Sequence, residues 1–304
     1  MRATRRVALG VCPRLGDNGV PMDIALLTYA GAPALPPDDQ LLLAPLRARG
    51  LEPHPVIWDA PDTDWSRFRL AVVRGIWDYF VKPQQYAQWL QRVEPQVELY
   101  NPVPLLKWNG HKGYLLELAQ AGLSVTPTHL CRQGAPASLA ALADARGWEQ
   151  VVVKPAISGA GRLTHLFSRA EHAHAGQAHL EGVLREGDAL VQPFLRSLHE
   201  EGERSYVFID GAFSHAVLRA ATMGAEVVPD GTAMAPRADE VLLAQRILRA
   251  APTPTLYARV DVATGPDGAP MLQELEVIEP RLFFASGPGS AERMADAILA
   301  RARR

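Results

Sequence analysis

Three acidic side chains near the end of the chain have the types and spacing that suit a divalent cation. Asp261 lies in one predicted strand, Glu274 and Glu276 lie in the next, and a turn at residues 265–268 joins the two strands. Because side chains alternate between the faces of a strand, Glu274 and Glu276 share a face, and a hairpin brings Asp261 to the same side. Carboxylates gathered in this way repel one another unless they bind a hard cation such as Mg²⁺. Acids that face water on a half-buried hairpin would give the same pattern, so this stretch leaves both interpretations open.

A lysine followed by a glycine-rich loop is the second candidate for chemistry. Lys154 ends a predicted apolar strand, and Ser158, Gly159 and Gly161 follow it. A buried cation is costly unless it meets an anion, and glycines let backbone N–H groups approach phosphate oxygens closely. The order of residues excludes a Walker A loop, in which the lysine follows the glycines. An exposed lysine beside a surface turn is the alternative.

Three further basic residues could contact an anion. Lys112 is predicted in the first turn of a helix that begins at Asn109, where the helix dipole disfavours a cation. Contact with a phosphate would explain that placement, although a solvated lysine also fits it. Arg219 and Arg259 lie in strands near the acidic residues, where they could hold a phosphoryl group or a carboxylate, or form surface ion pairs.

The composition narrows the classes of function. The 304 residues are 48% hydrophobic and 21% charged, with a net charge of −2, which predicts no nucleic-acid or membrane surface. No apolar run approaches the roughly 18 residues of a membrane span. Two cysteines provide no disulfide framework, so we expect a cytoplasmic protein. Residues 1–21 are expected to be a disordered extension that precedes the first clear strand.

The elements that must position these residues follow two patterns. Over residues 22–105, short apolar strands alternate with helices, which predicts a parallel α/β domain. A proline-rich break at residues 101–104 marks its end. Over residues 106–304, hairpins and helices are mixed, which predicts an α+β domain with two subdomains, about 106–195 and 196–304. Within the second subdomain, Asp210 and Gly211 predict a tight hairpin turn.

Taken in chain order, these motifs resemble the ATP-grasp superfamily, and the resemblance covers nearly all of the chain after residue 22. Four segments are more narrowly similar to a bacterial glutathione-synthetase-like group, to which the O-ureido-D-serine cyclo-ligase of cycloserine biosynthesis belongs. The segments are residues 74–80, 108–116, 208–217 and 274–280. The resemblance implies an ATP-grasp fold preceded by a parallel α/β (pre-ATP-grasp) domain of the kind found in glutathione synthetases and D-alanine–D-alanine ligases.

The resemblance also implies a role for each matching residue. The residues implied to bind ATP are Lys112, Lys154, Ser158, Gly159, Gly161, Gln192, Phe194 and either Glu200 or Glu203. The two lysines would hold the phosphates, the glycine loop would close over them, Gln192 and Phe194 would line the adenine hinge, and the glutamate would contact the ribose. The residues implied to bind Mg²⁺, or Mn²⁺ in its place, are Asp261, Glu274 and Glu276. Arg259 and Arg219 would face the γ-phosphate or an acyl phosphate.

The implied activity is ADP-forming ligation of a carboxylate with an amine. ATP would phosphorylate the carboxylate, and an amine-type nucleophile would then displace phosphate from the acyl phosphate. A small-molecule kinase on the same fold, a cyclo-ligase that forms an intramolecular amide, and a non-catalytic nucleotide-binding protein are the alternatives. We expect a small amino-acid or peptide-like substrate and a homodimer. The side chains that select the substrate are expected in residues 29–31, 74–79 and 279–289 and in the loop after Arg219.

Two positions depart from the pattern. The superfamily usually has asparagine where this chain has Glu276, which adds a negative charge to the site. Arg281 stands where the narrower group would have a small polar residue. We therefore hypothesise that Arg281 binds a carboxylate of the acceptor substrate.

Replacement of this arginine tests the hypothesis. Arg281→Ala should raise the Michaelis constant of the acceptor by about tenfold or more, because one charge-assisted hydrogen bond is lost. Steady-state kinetics with the acceptor varied at saturating ATP provide the measurement. An unchanged Michaelis constant would show that Arg281 does not bind the acceptor.

Overall fold

The computed structural model describes residues 22–220 and 231–304. The expected extension, residues 1–21, lies outside them. The described residues form three β-sheets with helices packed on and between them. Within these ranges, no helix is both long enough and apolar enough to cross a membrane.

The first sheet is parallel, as the alternation of strands and helices predicts. In the spatial order β2-β1-β3-β4, its strands are β1 (Met22–Thr28), β2 (Leu51–Ile57), β3 (Leu70–Gly75) and β4 (Leu99–Tyr100). The helices that follow β1 and β3 are α1 (Pro37–Gln40), α2 (Leu43–Arg47) and α3 (Pro83–Val93). Helix α3 begins with a proline, whose fixed φ suits the first helical position. It buries Tyr86, Trp89, Leu90 and Val93, which lie on one face at the predicted helical spacing.

Lys112 lies in a turn between two short helices, and the prediction of one helix beginning at Asn109 is wrong. Helix α4 (Val103–Asn109) begins after Pro102, and α5 (Tyr114–Gln120) follows residues 110–113. Asn109 therefore ends a helix and caps none. Its side-chain amide donates to the carbonyl of Leu275 at 2.8 Å and accepts from the N–H of Val277 at 3.1 Å. These distant backbone partners override the local capping preference of asparagine.

The second sheet carries Lys154 and the glycine loop, residues 158–161. It is antiparallel in the order β5-β8-β6-β7, and its strands are β5 (His129–Cys131), β6 (Gln150–Pro155), β7 (His165–Ser168) and β8 (Ala189–Pro193). Helices α6 (Leu139–Arg146) and α7 (Gln177–Glu186) pack on it. Ser138 caps α6, since its hydroxyl accepts from the N–H of Ala141 at 3.3 Å, and Gly147 ends the helix at φ 67°.

The third sheet carries the acidic residues. It is antiparallel in the order β11-β10-β9-β12-β13, with β9 (Glu203–Ile209), β10 (Ala212–Arg219), β11 (Thr232–Met234), β12 (Tyr257–Thr264) and β13 (Pro270–Glu276). Its helices are α8 (Arg196–Glu201), α9 (Ala238–Ala250) and α10 (Ser290–Ala302). Asp210 and Gly211 have φ values of 52° and 73° and form the predicted two-residue turn between β9 and β10. The register of the last hairpin sets Asp261 opposite Glu274, so the predicted hairpin forms and brings the two acids close together.

One hydrophobic core joins the first sheet to the third. Ile24 and Leu26 of β1 belong to the same buried cluster as Val207 of β9 and as Met294 and Ile298 of α10. Helix α10 therefore covers a face of the first sheet, although it is almost the whole chain away in sequence. The domain bounds expected from the sequence, 22–105 and 106–304, stay a prediction.

The side chain of Asn101 links these two sheets through hydrogen bonds. Its fully buried amide donates to the carbonyls of Tyr257 at 2.9 Å and Val277 at 2.7 Å, and its oxygen accepts from the N–H of Leu256 at 2.6 Å. One side chain thus satisfies three main-chain groups that approach each other from different elements. Burial without partners is what makes such groups costly.

Asn101→Ala should lower the free energy of unfolding by on the order of 3 kcal/mol, because the buried main-chain groups lose their partner. Gln96→Ala is the matched control, since the exposed Gln96 side chain also donates to a backbone carbonyl, that of Arg92, at 2.7 Å. Water replaces that bond, so we expect little loss. Urea unfolding followed by circular dichroism gives both values. Equal losses in the two variants would contradict the role assigned to Asn101.

Candidate active site

A cavity of about 1000 Å³ lies among the three sheets and brings together most of the residues predicted to form a site. The predicted residues that line it are Lys112, Lys154, Ser158, Gly159, Gly161, Gln192, Phe194, Glu203, Arg219, Arg259, Asp261, Glu274 and Glu276. Glu200 does not line it, because α8 carries this side chain outward and leaves it exposed. Of the two alternatives for a ribose contact, the structure places Glu203 in the cavity and Glu200 outside it.

Lys112 connects the glycine loop to the acidic strand. Its buried ammonium donates to the carbonyl of Ser158 at 2.6 Å and lies 2.8 Å from the carboxylate of Glu274. Its backbone N–H also donates to the carbonyl of Ala156 at 2.7 Å. Burial lowers the pKa of Lys112, but Glu274 and the acids beyond it outweigh this effect and hold the pKa above its usual value. The lysine is therefore charged and fixed in direction.

The ammonium charge of Lys154, near Lys112, is less well compensated by neighbouring acids. It is buried on β6, and desolvation lowers its pKa; Glu274 opposes that shift, while the charge of Lys112 adds to it. Glu274 is the main carboxylate partner of both lysines, and Glu203 adds a smaller effect on Lys154. An anionic ligand in the cavity would restore the usual pKa of Lys154, which is the arrangement that a phosphate-binding site needs.

The glycine loop contacts an aromatic residue that follows the first sheet. A Cβ added at Gly159 would lie 2.6 Å from the ring of Phe80, and Gly161 has a φ of 69°. The first position therefore needs glycine for close approach, and the second needs it for its left-handed backbone. Ser158 is buried, and its carbonyl is held by Lys112. The loop is consequently anchored at one end and backed by a ring at its centre.

Asp261 is bound by two arginines and a hydroxyl. Its carboxylate accepts from Arg259 at 2.8 Å and 2.9 Å, from Arg219 at 3.1 Å and from the hydroxyl of Ser205 at 2.6 Å. Burial raises the pKa of Asp261, but the two arginines overcome this effect and lower it below the usual value. Asp261 is therefore ionised and aligns both arginines toward the cavity. Arg219 also pairs with Glu203 at 2.5 Å.

Glu276 shows the electrostatic strain of the site. It accepts from Arg259, yet burial raises its pKa to about 7, and the charges of Glu274 and Asp261 add to that rise. The position that departs from the expected asparagine is thus the one at which an added negative charge is poorly tolerated. A bound cation would relieve it.

Glu279 is an acid of the cavity that the sequence motifs did not mark as a site residue. Burial, with repulsion from Glu276, raises its pKa well above the usual value. Trp77, which follows β3, and Arg74 of β3 hold the main chain of residues 279 and 280. Trp77 donates to the carbonyl of Glu279 at 3.0 Å, and Arg74 donates to the carbonyl of Pro280 at 2.8 Å. Glu279 falls in residues 279–289, which were expected to help select the substrate, although no individual role was assigned to it.

The carboxylate oxygens of this cavity are suitable ligands for Mg²⁺, but they do not converge on one point as the ligands of a metal site do. In residues 22–220 and 231–304, no three acidic, histidine or cysteine side chains are grouped as a metal site. Glu274 and Glu276 nevertheless line the cavity from one strand, and a hard cation is what would lower the raised pKa of Glu276. Metal ligation by Asp261 stays a prediction, since its oxygens are held by the arginines here.

The substrate end of the cavity is built largely from the segments expected to select the substrate. Tyr29, Trp77 and Tyr79 line it, as does Arg281. Much of the loop after Arg219 falls in residues 221–230, which lie outside the described residues. Sequence reasoning missed Asp38, whose carboxylate lines the cavity and accepts from the N–H groups of Leu282 at 3.1 Å and Phe284 at 2.8 Å. Asp38 lies in the first turn of α1, and no sequence motif marked it.

Two antiparallel sheets that enclose a cavity with buried lysines and carboxylates define the ATP-grasp ligases, and comparison with known proteins confirms this class. A family model for the N-terminal domain of the D-cycloserine synthetase DcsG matches residues 24–101. The cycloserine biosynthesis protein DcsG of Streptomyces lavendulae is 31% identical over 301 residues, which cover 91% of this chain and 98% of that protein. The chain therefore belongs to the DcsG family of ATP-grasp ligases.

Solved structures agree with this assignment. The crystal structure of the D-cycloserine synthetase DcsG has a TM-score of 0.85 and 28% identity, over 92% of this chain and 99% of that chain. The ATP-grasp ligase PsnB, solved with a minimal precursor, Mg and ADP, has a TM-score of 0.63 at 16% identity, over 92% of this chain and 98% of that chain. The second likeness concerns the fold alone. The predicted combination of an ATP-grasp fold with a parallel α/β unit before it is confirmed.

Lys154→Ala and Glu274→Ala should each reduce ATP turnover by about a hundredfold or more, because each removes a buried charge that faces the cavity. ADP formation in a coupled assay is the measurement, with thermal unfolding to confirm that each variant folds. Lys107→Ala is the control, since Lys107 is an exposed lysine of α4. Activity within tenfold of the wild type for Lys154→Ala or Glu274→Ala would contradict the assignment of this cavity as the active site.

Proposed function

We propose that the protein activates a substrate carboxylate as an acyl phosphate with Mg-ATP and couples it to an amine-type nucleophile, releasing ADP and phosphate. The observation that carries this proposal is the continuity of the cavity. It runs from the Gln192 hinge, past the paired lysines and arginines, to the Trp77 and Glu279 end. A nucleotide and an acceptor can therefore meet at a zone of positive charge.

The basic residues would act on the phosphoryl group by position and charge. Lys112 and Lys154 approach from the glycine-loop side, and Arg219 and Arg259 approach from the third sheet. Phosphoryl transfer needs two anions to be aligned against their repulsion, which fixed cations in a buried site accomplish. Mg²⁺, when bound, would neutralise phosphate oxygens, and Glu274 and Glu276 are the residues that would hold it.

The glycine loop would limit hydrolysis. It lies over the lysines and against Phe80, so it can shield an acyl phosphate from water. A water-free site favours attack by the amine, because the competing nucleophile is excluded. None of these steps needs a nucleophilic side chain of the protein.

The substrate end favours a small amino-acid or peptide-like molecule. Tyr29 and Trp77 form an aromatic wall with ring centroids 6.2 Å apart, while Asp38 and Arg281 supply charges of opposite sign. Such a pocket matches a molecule that carries both an ammonium group and a carboxylate. Because DcsG is named for cycloserine biosynthesis, an intramolecular amide bond is the second candidate product.

Phosphate release separates a ligase from a kinase on the same fold. With amino acids alone and paired with amines, ADP and inorganic phosphate should accumulate in equal amounts, because the acyl phosphate is consumed. A kinase would instead leave its phosphate on a stable acceptor. ADP formation without inorganic phosphate would contradict the ligase, and amide formation from a single amino acid, seen by mass spectrometry, would favour the cyclo-ligase. Lys154→Ala controls for background hydrolysis.

Three expectations stay predictions. They are the use of Mn²⁺ in place of Mg²⁺, a cytoplasmic location and a homodimer.

A further inference from the structure

Gln192 lies at the hinge end of the cavity with one side of its amide already engaged. It is only 2% exposed, and its Nε2 donates to the hydroxyl oxygen of Thr128 at 2.8 Å. Thr128 immediately precedes β5, which pairs with β8, the strand of Gln192. Thr128 is absent from the cavity lining and from the sequence motifs, so its contact with Gln192 acts through that residue.

The direction of these hydrogen bonds follows from counting protons. Thr128 has one hydroxyl proton, and its oxygen lies 2.7 Å from the carbonyl of Thr126. A carbonyl can only accept, so the proton of Thr128 is donated there. The oxygen of Thr128 must then accept, and only the NH₂ group of Gln192 can donate to it. The amide of Gln192 is therefore fixed with its NH₂ toward Thr128 and its carbonyl oxygen turned away.

The carbonyl oxygen of Gln192 remains as an acceptor for a ligand. No donor within residues 22–220 and 231–304 forms a hydrogen bond with it, and Gln192 lines the cavity. The two residues that follow Gln192 have no main-chain N–H available to a base. Pro193 has no N–H, and the N–H of Phe194 already donates to the carbonyl of Gln150 at 2.9 Å. The carbonyl oxygen of Gln192 is therefore a side-chain acceptor available to a ligand here, where neither Pro193 nor Phe194 offers a free N–H.

We propose that Thr128 is a positioning residue for nucleobase selection, because it holds Gln192 with an acceptor facing the base and so favours adenine over guanine. Adenine presents an amino donor at N6, whereas guanine presents the O6 acceptor at the corresponding position. An acceptor on the protein binds the first and repels the second. The inference rests on the proposed function, since it requires the base to bind at the Gln192 hinge.

The test measures the ratio of ATP binding to GTP binding. Thr128→Val keeps the shape of the side chain but removes the hydroxyl, so the amide of Gln192 becomes free to turn its NH₂ toward the base. The preference for the ATP analogue AMP-PNP over GMP-PNP, measured by calorimetry with Mg²⁺, should fall by about tenfold, the equivalent of one hydrogen bond. Thr128→Ser, which retains a hydroxyl, should keep the wild-type ratio. Thermal unfolding confirms that each variant folds, so that an unchanged ratio cannot arise from a general loss of structure.

A second variant tests the direction of the amide without altering Thr128. Gln192→Glu offers only acceptors when ionised, so it should keep the preference for the adenine nucleotide. An unchanged ratio in Thr128→Val, or loss of the preference in Gln192→Glu, would overturn the inference while leaving the ligase proposal intact. If the wild-type protein binds neither nucleotide, the proposed function fails and this inference fails with it.

Discussion

The ion pair between Lys112 and Glu274 is the contact on which the site depends. Lys112 is held by a turn between two helices, its ammonium binds the main chain of the glycine loop, and the same ammonium meets the acidic strand. Three parts of the chain that are distant in sequence are fixed at one nitrogen. Removal of one partner from a buried pair leaves an uncompensated charge, so such a contact is costly to break.

The remaining charges of the cavity are balanced around this pair. Asp261 is covered by Arg259 and Arg219, which leaves Glu276 to share Arg259 at a raised pKa. Lys154 shows the opposite effect, because burial without enough neighbouring negative charge lowers its pKa. The cavity therefore holds a poorly compensated cation, Lys154, and poorly compensated acids, of which Glu276 and Glu279 have raised pKa values. A magnesium nucleotide carries the two matching charges, an anionic phosphate and a divalent cation.

The sequence predicts strands, helices and turns well, but it predicts contacts between residues far apart in the chain poorly. The last hairpin follows from strand alternation and a turn, so the placement of Asp261 opposite Glu274 could be read from residues alone. Asn109 was misread because its amide bonds Leu275, 166 positions away, and no local rule reports such a partner. The arginine contacts of Asp261 and the place of Asp38 in the cavity likewise depend on how separate elements meet. The resemblance pointed to lysines and acids that the structure brings together in one cavity, because it encodes their order along the chain. It left Glu200 and Glu203 as alternatives for a ribose contact, and of the two only Glu203 lines that cavity.

The packing of α10 on the first sheet has a consequence for biosynthesis. During translation, residues 22–100 leave the ribosome long before residues 290–302 are made, and the partners of Ile24 and Leu26 include Met294 and Ile298. One apolar face of the first sheet is therefore covered only in part, by Leu42 and Leu46, through most of synthesis. A nascent chain with exposed apolar strands is prone to aggregation and is a substrate for chaperones. The first sheet can therefore complete its packing only after α10, the last helix, has been synthesised.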